Sequence, residues 1–285
     1  MTENLFDKKL QQIKADGLHR QMRYLESPQG SHVRIAGEDI LMLSSNSYLG
    51  LCFDDRLRSA AHAALEQYGT GSGGLRLTTG SYDIHKKLEE EIAAFKGTEA
   101  ALVFATGYMA NVGIISAVAG KNWVIFSDRL SHASIIDGCR LSGAEIVVYE
   151  HCNPADLERK TSRYRGRQGL IVTDGLFSVD GDIAPLPALV EIARKHQLLL
   201  MVDDAHATGV LGKNGGGTAE HFGLDGGIDI VMGTLSKALA SEGGFVAGSH
   251  SLMDCLVNSA RSFIFSTAPA PATIAVSIAA LDIVR

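Results

Sequence analysis

Short apolar segments alternate with helical segments along most of this chain, and this alternation restricts its fold more than any other feature. The apolar segments read ALVFA (100–104), NWVIF (122–126), EIVVY (145–149), GLIVT (169–173), LLLMV (198–202) and DIVMG (229–233). Strands that are apolar throughout are buried on both faces, which is typical of parallel sheets. Helical patterns lie between most of them, at 107–119, 132–142 and 185–196. The sequence therefore predicts βαβ units and an α/β fold.

The first hundred residues have a different organisation. Their patterns predict a helix over 3–24, two short strands within 33–43 around a turn at Gly37 and Glu38, a helix capped by Asp54 that runs to about Tyr68, and a helix from Asp83 to about Phe95.

Composition excludes several classes of protein. The 285 residues carry a formal net charge of −6, so a broad nucleic-acid-binding surface is not predicted. No segment reaches the roughly 18 apolar residues that a membrane-spanning helix needs. The four cysteines, Cys52, Cys139, Cys152 and Cys255, are widely separated, so we expect neither a disulfide framework nor a zinc site, and we expect a cytoplasmic protein.

Polar residues follow the predicted strands, at the edge of a parallel sheet where ligands bind. Asp203, Asp204 and His206 come after one strand, and Lys237 comes after another. Burial lowers the pKa of a lysine and favours the free amine that reacts with aldehydes. A metal site at Asp203, Asp204 and His206 lacks a convincing further ligand, so no metal is predicted. A capping aspartate with a satisfied histidine remains the simpler interpretation of that segment taken alone.

A glycine-rich segment, GTGSGG (69–74), matches G-x-G-x-x-G. A dinucleotide-binding fold needs this motif between a strand and a helix. Here it follows a helical pattern and precedes LRLTTGS, so a nicotinamide-dependent oxidoreductase is not favoured. A strand-end lysine, aspartate and histidine together with glycine-headed turns instead favour pyridoxal 5'-phosphate as cofactor.

The chain resembles the α-oxoamine synthases, which are fold-type-I enzymes that use pyridoxal phosphate. The matching segments are SSNSYLGL (44–51), GTGSGGLRLTTG (69–80), FSDRLSHASIIDGCRLS (126–142), VTDGLFSVDGDIAPL (172–186), VDDAHATGVLG (202–212), GTLSKALASEGGFVAG (233–248) and FIFSTAPAP (263–271). They extend over nearly the whole chain.

This resemblance implies roles for individual residues. Lys237 is expected to bind the cofactor aldehyde and to move the substrate Cα proton, and Asp203 to pair with the ring nitrogen. His132 is expected to stack on the ring and help to place the substrate. His206 is expected to bind the phenolic oxygen, with Ser178 beside it. The other implied cofactor-binding residues are Gly107, Tyr108, Asp204, Ala205, Thr234, Leu235, Ser236, and, from the neighbouring subunit of a homodimer, Ser266 and Thr267. The implied substrate-binding residues are Arg20, Asn46 and His132.

The resemblance also implies a domain organisation. Residues 46–285 are expected to form the large domain, a mostly parallel seven-stranded sheet between helices. Residues 1–45 are expected to supply a helix and strands of a small domain. The sequence stops at LDIVR within a helical pattern, so we expect the C-terminal small domain of the family to be absent.

The activity implied is the decarboxylating condensation of L-alanine with pimeloyl-CoA or a pimeloyl-acyl carrier protein, in biotin biosynthesis. Two alternatives stay open at this point. One is 2-amino-3-ketobutyrate CoA ligase chemistry, with glycine and acetyl-CoA. The other is an inactive fragment that binds pyridoxal phosphate without turnover. Neither a nucleic acid nor a membrane is expected as a partner.

Overall fold

The structure is a computed structural model, and it describes residues 4–224 and 226–285. The chain divides into two compact units, one that ends at Ser44 and one that runs from Ser45 to Arg285. Each unit is described by itself.

The first unit contains one short helix and a pair of antiparallel strands within its described residues. These elements are α1 (Leu5–Ala15), β1 (His32–Ile35) and β2 (Glu38–Leu41). The helix is shorter than the predicted span of 3–24, whose first residue lies outside the described residues. It begins after Asn4, whose side chain accepts from the amide of Phe6, and it ends before Gly17, which has a left-handed φ of 69°. The turn between the strands lies at Ala36 and Gly37, one residue earlier than predicted.

The second unit alternates strands and helices along most of its length. Its helices are α2 (Asp55–Tyr68), α3 (Asp83–Lys96), α4 (Gly107–Val118), α5 (Ala133–Ser142), α6 (Pro154–Thr161), α7 (Leu186–His196), α8 (Thr218–Phe222), α9 (His250–Ser259), α10 (Arg261–Ile264) and α11 (Pro271–Val284). Its strands are β3 (Ala100–Phe104), β4 (Val124–Asp128), β5 (Glu145–Tyr149), β6 (Gly169–Asp174), β7 (Leu199–Asp203), β8 (Ile230–Thr234) and β9 (Gly244–Gly248). Single 3₁₀ turns occur at Leu51–Phe53 and Ser162–Tyr164.

The strands form one mostly parallel sheet, which confirms the predicted fold class. Among the described residues this sheet has seven strands in the order β3-β9-β8-β7-β6-β4-β5. Strands β4 to β8 pair in parallel, whereas β9 runs antiparallel to both β3 and β8. The sequence patterns did not predict β9, because its segment GFVAG begins and ends with glycine.

Both faces of the sheet are buried under helices. In β4, Ile125 belongs to an apolar cluster with residues of α4 and α5, whereas Val124 and Phe126 belong to another cluster with residues of α7. Successive side chains of a strand point to opposite faces, so this division explains why the strand sequences are apolar throughout. A further cluster joins α3 and α11 to β3 and β9. No helix within the described part of the chain is long and apolar enough to cross a membrane.

Several strands end later than predicted, at polar residues. The apolar segments 122–126, 169–173, 198–202 and 229–233 continue to Asp128, Asp174, Asp203 and Thr234 respectively. Backbone pairing thus extends beyond the apolar run and fixes these polar side chains at the carboxyl edge of the sheet.

Candidate functional site

A cavity of about 240 Å³ lies at the carboxyl ends of β6, β7 and β8. Its lining combines apolar groups with titratable and hydroxyl side chains. The lining residues are Thr106, Gly107, Tyr108, Asn111, His132, Ser134, Asp174, Asp203, Ala205, His206, Met232, Thr234, Ser236 and Lys237. The structure therefore brings together most of the residues singled out from the sequence. In particular, Lys237 and Asp203 line the same cavity.

Lys237 takes part in a chain of hydrogen bonds that leads away from the cavity. Its Nζ lies 2.9 Å from Nε2 of His206, and Nδ1 of His206 lies 2.7 Å from the hydroxyl of Tyr48. That hydroxyl also lies 3.2 Å from Oδ1 of Asn46. Burial lowers the pKa of Lys237, although the charges of Asp203 and Asp174 oppose this change. Burial also lowers the pKa of His206 to about 4, so its imidazole is neutral near pH 7.

Asp203 is a buried carboxyl group held by two donors. Its Oδ2 accepts from Nδ2 of Asn111 at 2.6 Å, and its Oδ1 accepts from the amide of Ala205 at 2.9 Å. Asp174 lies beside it, because these residues are partners in the register of β6 and β7. Burial raises the pKa of Asp203, and burial together with the Asp203 charge raises the pKa of Asp174 to about 8. Within the described chain no lysine, arginine or histidine nitrogen forms an ion pair with Asp203.

His132 caps the start of α5, and its ring is oriented by Ser134. Nδ1 of His132 lies 2.7 Å from the Ser134 hydroxyl and also accepts from the Ser134 amide at 3.3 Å. Because Nδ1 accepts from the Ser134 amide, it carries no hydrogen, so the Ser134 hydroxyl donates to it while accepting from Asn111 at 2.9 Å. This pattern leaves the proton of the neutral ring on Nε2. The backbone amide of His132 donates to Asp174 at 3.0 Å.

Helix α4 begins at the cavity with Gly107 and Tyr108. Thr106 caps this helix by accepting from the amide of Met109 at 3.1 Å. The first amides of a helix have no carbonyl partner within it and attract anions such as phosphate. A side chain at Gly107 would lie 3.2 Å from Met232 and 3.3 Å from the Thr234 hydroxyl. The glycine therefore allows the end of the helix to approach the end of β8 closely.

The side chains of two predicted cofactor-binding residues point away from the cavity. Asp204 follows Asp203 directly, so its side chain projects to the opposite face of the sheet. There it accepts from the Thr218 hydroxyl at 2.5 Å and pairs with the buried amine of Lys96 at 3.4 Å. Leu235 is fully buried in the apolar cluster of α3 and α11. Any contact of Asp204 and Leu235 with the cofactor would therefore be made by their backbone groups, and their assignment as cofactor-binding residues stays a prediction.

Other predicted residues lie outside the main cavity. Ser178 lines an adjoining cavity of about 200 Å³ that shares His132 and Asp174 with it. The Ser266 hydroxyl lies 3.6 Å from the sulfur of Met109, and Thr267 forms an isolated β-bridge with Leu75. Arg20 is exposed and belongs to the unit that ends at Ser44.

Several residues of the site, including the following three, were given no role by the sequence. Asn111 lies on α4, Asp174 ends β6, and Tyr48 lies in the loop before α2. The signal for Asn111 was a polar residue within the apolar helical pattern 107–119, and the signal for Asp174 was its place after a strand. Tyr48 carried no signal, because 158 residues separate it from His206.

These groups fit pyridoxal phosphate. The buried carboxyl of Asp203 has no cationic partner in the described chain, and a protonated ring nitrogen would offset the free energy of burying its charge. The free amides at the start of α4 suit a phosphate, and the amine of Lys237 suits an aldehyde. The glycine-rich segment 69–74 follows helix α2 and leads into a loop, so the structure gives it no dinucleotide-binding geometry.

Comparison with known proteins identifies a protein family and several relatives that this chain resembles. Residues 38–284 match the family described as aminotransferase class I and II. The chain is 53% identical to an 8-amino-7-oxononanoate synthase from Lysinibacillus sphaericus, over 98% of this chain and 72% of that protein. It superimposes on serine palmitoyltransferase from S. paucimobilis with bound PLP and myriocin (TM-score 0.92, 36% identity, 99% of this chain and 71% of that one). It also superimposes on 8-amino-7-oxononanoate synthase from Francisella tularensis (TM-score 0.72, 32% identity, 85% and 68%).

Proposed function

The chain belongs to the class I and II aminotransferase family and, within it, to the 8-amino-7-oxononanoate synthases, and from this premise we propose a substrate pair and a set of catalytic residues. The protein is a pyridoxal-phosphate-dependent acyltransferase of biotin biosynthesis. The proposed substrates are L-alanine and a pimeloyl thioester, carried on CoA or on an acyl carrier protein. The products are 8-amino-7-oxononanoate, CO₂ and the free thiol.

The observation that carries this proposal is the convergence of four groups on one cavity. Lys237, His132, and the pair Asp203 and His206 come from three different segments, and all four residues line the same space. In the proposed site Lys237 holds the cofactor aldehyde, Asp203 its ring nitrogen and His206 its phenolic oxygen. Further proposed contacts are Gly107, Tyr108, Ala205, Thr234 and Ser236 in the cavity, Ser178 beside it, and Ser266 and Thr267 across a dimer interface.

The chemistry divides between the cofactor and the chain. Bound pyridoxal phosphate supplies an aldehyde that exchanges amines and a ring that accepts the negative charge formed on the amino acid Cα. Lys237 removes the Cα proton, and its lowered pKa favours the neutral amine that this step needs. His206, neutral and within 2.9 Å, orients the amine. Asp203, buried and held by Asn111, keeps a ring-nitrogen proton in place through its charge.

The substrate-positioning groups act around that proton transfer. His132 has its ring fixed by Ser134 and presents Nε2–H as a hydrogen-bond donor. We propose that it stacks on the cofactor ring and places the acyl donor, with Asn46 and Arg20 as further substrate contacts. Carbon–carbon bond formation joins alanine Cα to the thioester carbonyl carbon. The thiolate then leaves, the alanine carboxyl group departs as CO₂, and a proton delivered to Cα completes the product.

The experiment that tests this proposal measures thiol release and product with the purified chain and added pyridoxal phosphate. L-Alanine and glycine are each paired with pimeloyl-CoA and acetyl-CoA. The proposal expects turnover with alanine and pimeloyl-CoA, and none in the Lys237→Ala variant. Preferential turnover of glycine with acetyl-CoA would reassign the substrate class. Cofactor binding with no turnover of any pair would identify an inactive fragment.

Three further assignments belong to the same proposal. Residues 1–45 are proposed to be part of a small domain and residues 46–285 to be the large, cofactor-binding domain. A homodimer is proposed because Ser266 and Thr267 line no part of the cavity in a single chain. Cytoplasmic location is proposed because Cys52, Cys139, Cys152 and Cys255 are all unpaired, which suits a reducing compartment.

A further inference from the structure

His151 lies in the turn that follows β5, and it contacts the end of one other strand and the loop that follows another. Its Nδ1 lies 2.8 Å from Oδ1 of Asp128, the last residue of β4. Its Nε2 lies 2.7 Å from Oδ2 of Asp182, in the loop that follows β6. A carboxylate oxygen only accepts hydrogen bonds, so both ring nitrogens must carry a proton for both contacts to be bonds. Two hydrogen bonds from this ring to two carboxylates therefore correspond to an imidazolium.

On one side of this ring, the side chain of Asp128 is buried and held by backbone hydrogen bonds. Its side chain is 1% exposed and also accepts from the amides of Leu130 and Cys152, at 2.8 and 2.9 Å. The loop that starts at Asp128 leads directly to His132. Contact with Asp128 thus ties the turn after β5 to the segment that carries a proposed catalytic residue.

The segment on the other side of the ring is a narrow loop, residues 176–183. Leu176 and Ile183 form a β-bridge at its base. Inside the loop, the amide of Phe177 donates to the backbone carbonyl of Asp182 at 3.0 Å. Its tip reaches solvent, with Val179 91% exposed. The ring of Phe177 meets the ring of His151 edge to face, with 4.5 Å between their centres. His151 therefore contacts this loop in two ways, through the carboxylate of Asp182 and through the ring of Phe177.

The 176–183 loop forms one wall of the cavity that adjoins the proposed active site. That cavity of about 200 Å³ is lined by Leu130, His132, Asp174, Phe177, Ser178, Val179 and Asp180. Loop residues 177–180 supply more than half of this lining. A displacement of the loop would therefore change the space next to His132.

A metal ion does not explain this cluster, although Asp128, His151 and Cys152 offer ligand atoms within 4.8 Å of one another. The two nitrogen–oxygen distances of 2.7 and 2.8 Å are shorter than the roughly 3.3 Å between ligand atoms of a tetrahedral zinc site. In addition, burial raises the pKa of Cys152 to about 12, which opposes the thiolate that a metal needs. The distances are those of hydrogen bonds.

We propose that His151 is a positioning residue: as an imidazolium bonded to Asp128 and Asp182, it holds the 176–183 loop in place beside His132 and so maintains the adjoining cavity for substrate. The substrate part of this proposal rests on the proposed acyltransferase function. The loop-holding part rests only on the contacts described above, so the two parts can fail separately.

The charges around His151 give the proposal a pH dependence. Partial burial lowers the pKa of His151, but the hydrogen bonds and charges of Asp128 and Asp182 together outweigh it, so the pKa is raised. The neighbouring groups Cys152 and Tyr149 have raised pKa values because they are buried near these carboxylates, so they stay neutral. The contribution of His151 is therefore complete below pH 6.5 and is lost as the pH rises through its folded-state pKa.

The test combines amide hydrogen exchange with ¹⁵N NMR of the histidine side chains in the full chain. We expect both ring nitrogens of His151 to be protonated at pH 7 in the unmodified protein. In His151→Gln, which supplies at most one of the two donors, the amides of Phe177 and Gly181 should exchange at least tenfold faster. His196→Gln is the matched control, because His196 contacts one carboxylate, Glu158 at 3.0 Å, away from both cavities.

Activity provides the second readout. The KM for the pimeloyl thioester should rise several-fold in His151→Gln with cofactor retained, and in the unmodified protein KM should rise with pH. Asp182→Asn is the second variant if His151→Gln does not fold, because it keeps the shape of the side chain and removes its negative charge. It should lower the pKa of His151 and speed amide exchange at Gly181. A neutral His151 at pH 7, or unchanged exchange in the variants, would overturn the loop-holding role. Faster exchange with an unchanged KM would overturn the role in substrate binding. If the chain has no acyltransferase activity, the exchange and NMR results alone decide whether His151 holds the loop.

Discussion

Among the groups that favour the charged form of Asp203, the side chain of Asn111 has the largest effect on its pKa. Burial favours the neutral acid, and the 2.6 Å hydrogen bond from Asn111 together with the Ala205 amide favours the carboxylate. Asn111 also donates to Ser134, which orients His132. One amide group therefore connects the proposed partner of the ring nitrogen with the proposed stacking residue.

We predict that Asn111→Leu lowers kcat roughly 10- to 100-fold, because a hydrogen bond to a charged group contributes about 1.5–3 kcal/mol. The pH profile should also shift, since the pKa of Asp203 rises further when a donor is lost. Steady-state kinetics at several pH values measure both effects. Asn258→Leu is the control, since Asn258 is exposed on α9, where its side chain donates to the Asp254 carbonyl. A kcat within twofold of the unmodified protein, with an unchanged pH profile, would contradict the role of Asn111.

At the scale of elements, the approach of α4 to β9 determines where the helix begins. A side chain on Gly244 would lie 2.6 Å from Cα of Gly107, which is closer than real contacts allow. The antiparallel strand β9 thus needs glycine where the first residue of α4 crosses it. Gly107 and Tyr108, the proposed phosphate-binding residues, are positioned by that contact.

Gly244→Ala should displace the start of α4, lower the affinity for pyridoxal phosphate and destabilise the fold by about 1–3 kcal/mol, as overpacking does. Urea denaturation and a spectroscopic titration with the cofactor measure the two quantities. Gly120→Ala provides the comparison, because a side chain at Gly120 has no neighbour within 4 Å and its φ is not left-handed. If Gly244→Ala and Gly120→Ala change the cofactor affinity and the free energy of unfolding equally, the close contact does not position the helix.

Sequence patterns predicted the elements that have strong local signals. The parallel strands were predicted because both faces are buried, and the strand-end positions of Lys237 and Asp203 followed from the same rule. Strand β9 was missed because its ends are glycines. The side chain of Asp204 does not line the cavity, because alternation along the strand turns it towards Lys96. Asn111 and Tyr48 acquire roles only through contacts across 92 and 158 residues, which no local pattern contains.

At the scale of the whole molecule, buried neutral histidines make stability depend on pH. His85 is fully buried, accepts from the Tyr82 amide at Nδ1 and lies 3.0 Å from the Pro269 carbonyl at Nε2. It thus links two segments that are distant in the sequence. Burial lowers the pKa of His85 to about 4. An unfolded chain binds a proton at this residue near pH 6.5, so folding stability falls as the pH decreases from 6.5 towards 4.

The expected contribution of His85 to that loss is roughly 3 kcal/mol between these two pH values. The measurement is the free energy of unfolding of the cofactor-free protein by urea at pH 7, 6, 5 and 4.5. His85→Gln should reduce the slope with pH, whereas the same change at the exposed His62 should not. If His85→Gln keeps the slope of the unmodified protein, the buried neutral histidine is not the cause.

The central claim, that position 237 supplies the amine for the cofactor, is tested most directly by mapping the attachment site. The purified chain is incubated with pyridoxal phosphate, reduced with borohydride, digested and analysed by mass spectrometry. The account predicts a pyridoxyl group on Lys237 at one per chain, and none in Lys237→Ala. Attachment to the buried Lys96 or to a surface lysine instead, with Lys237 unmodified, would contradict it.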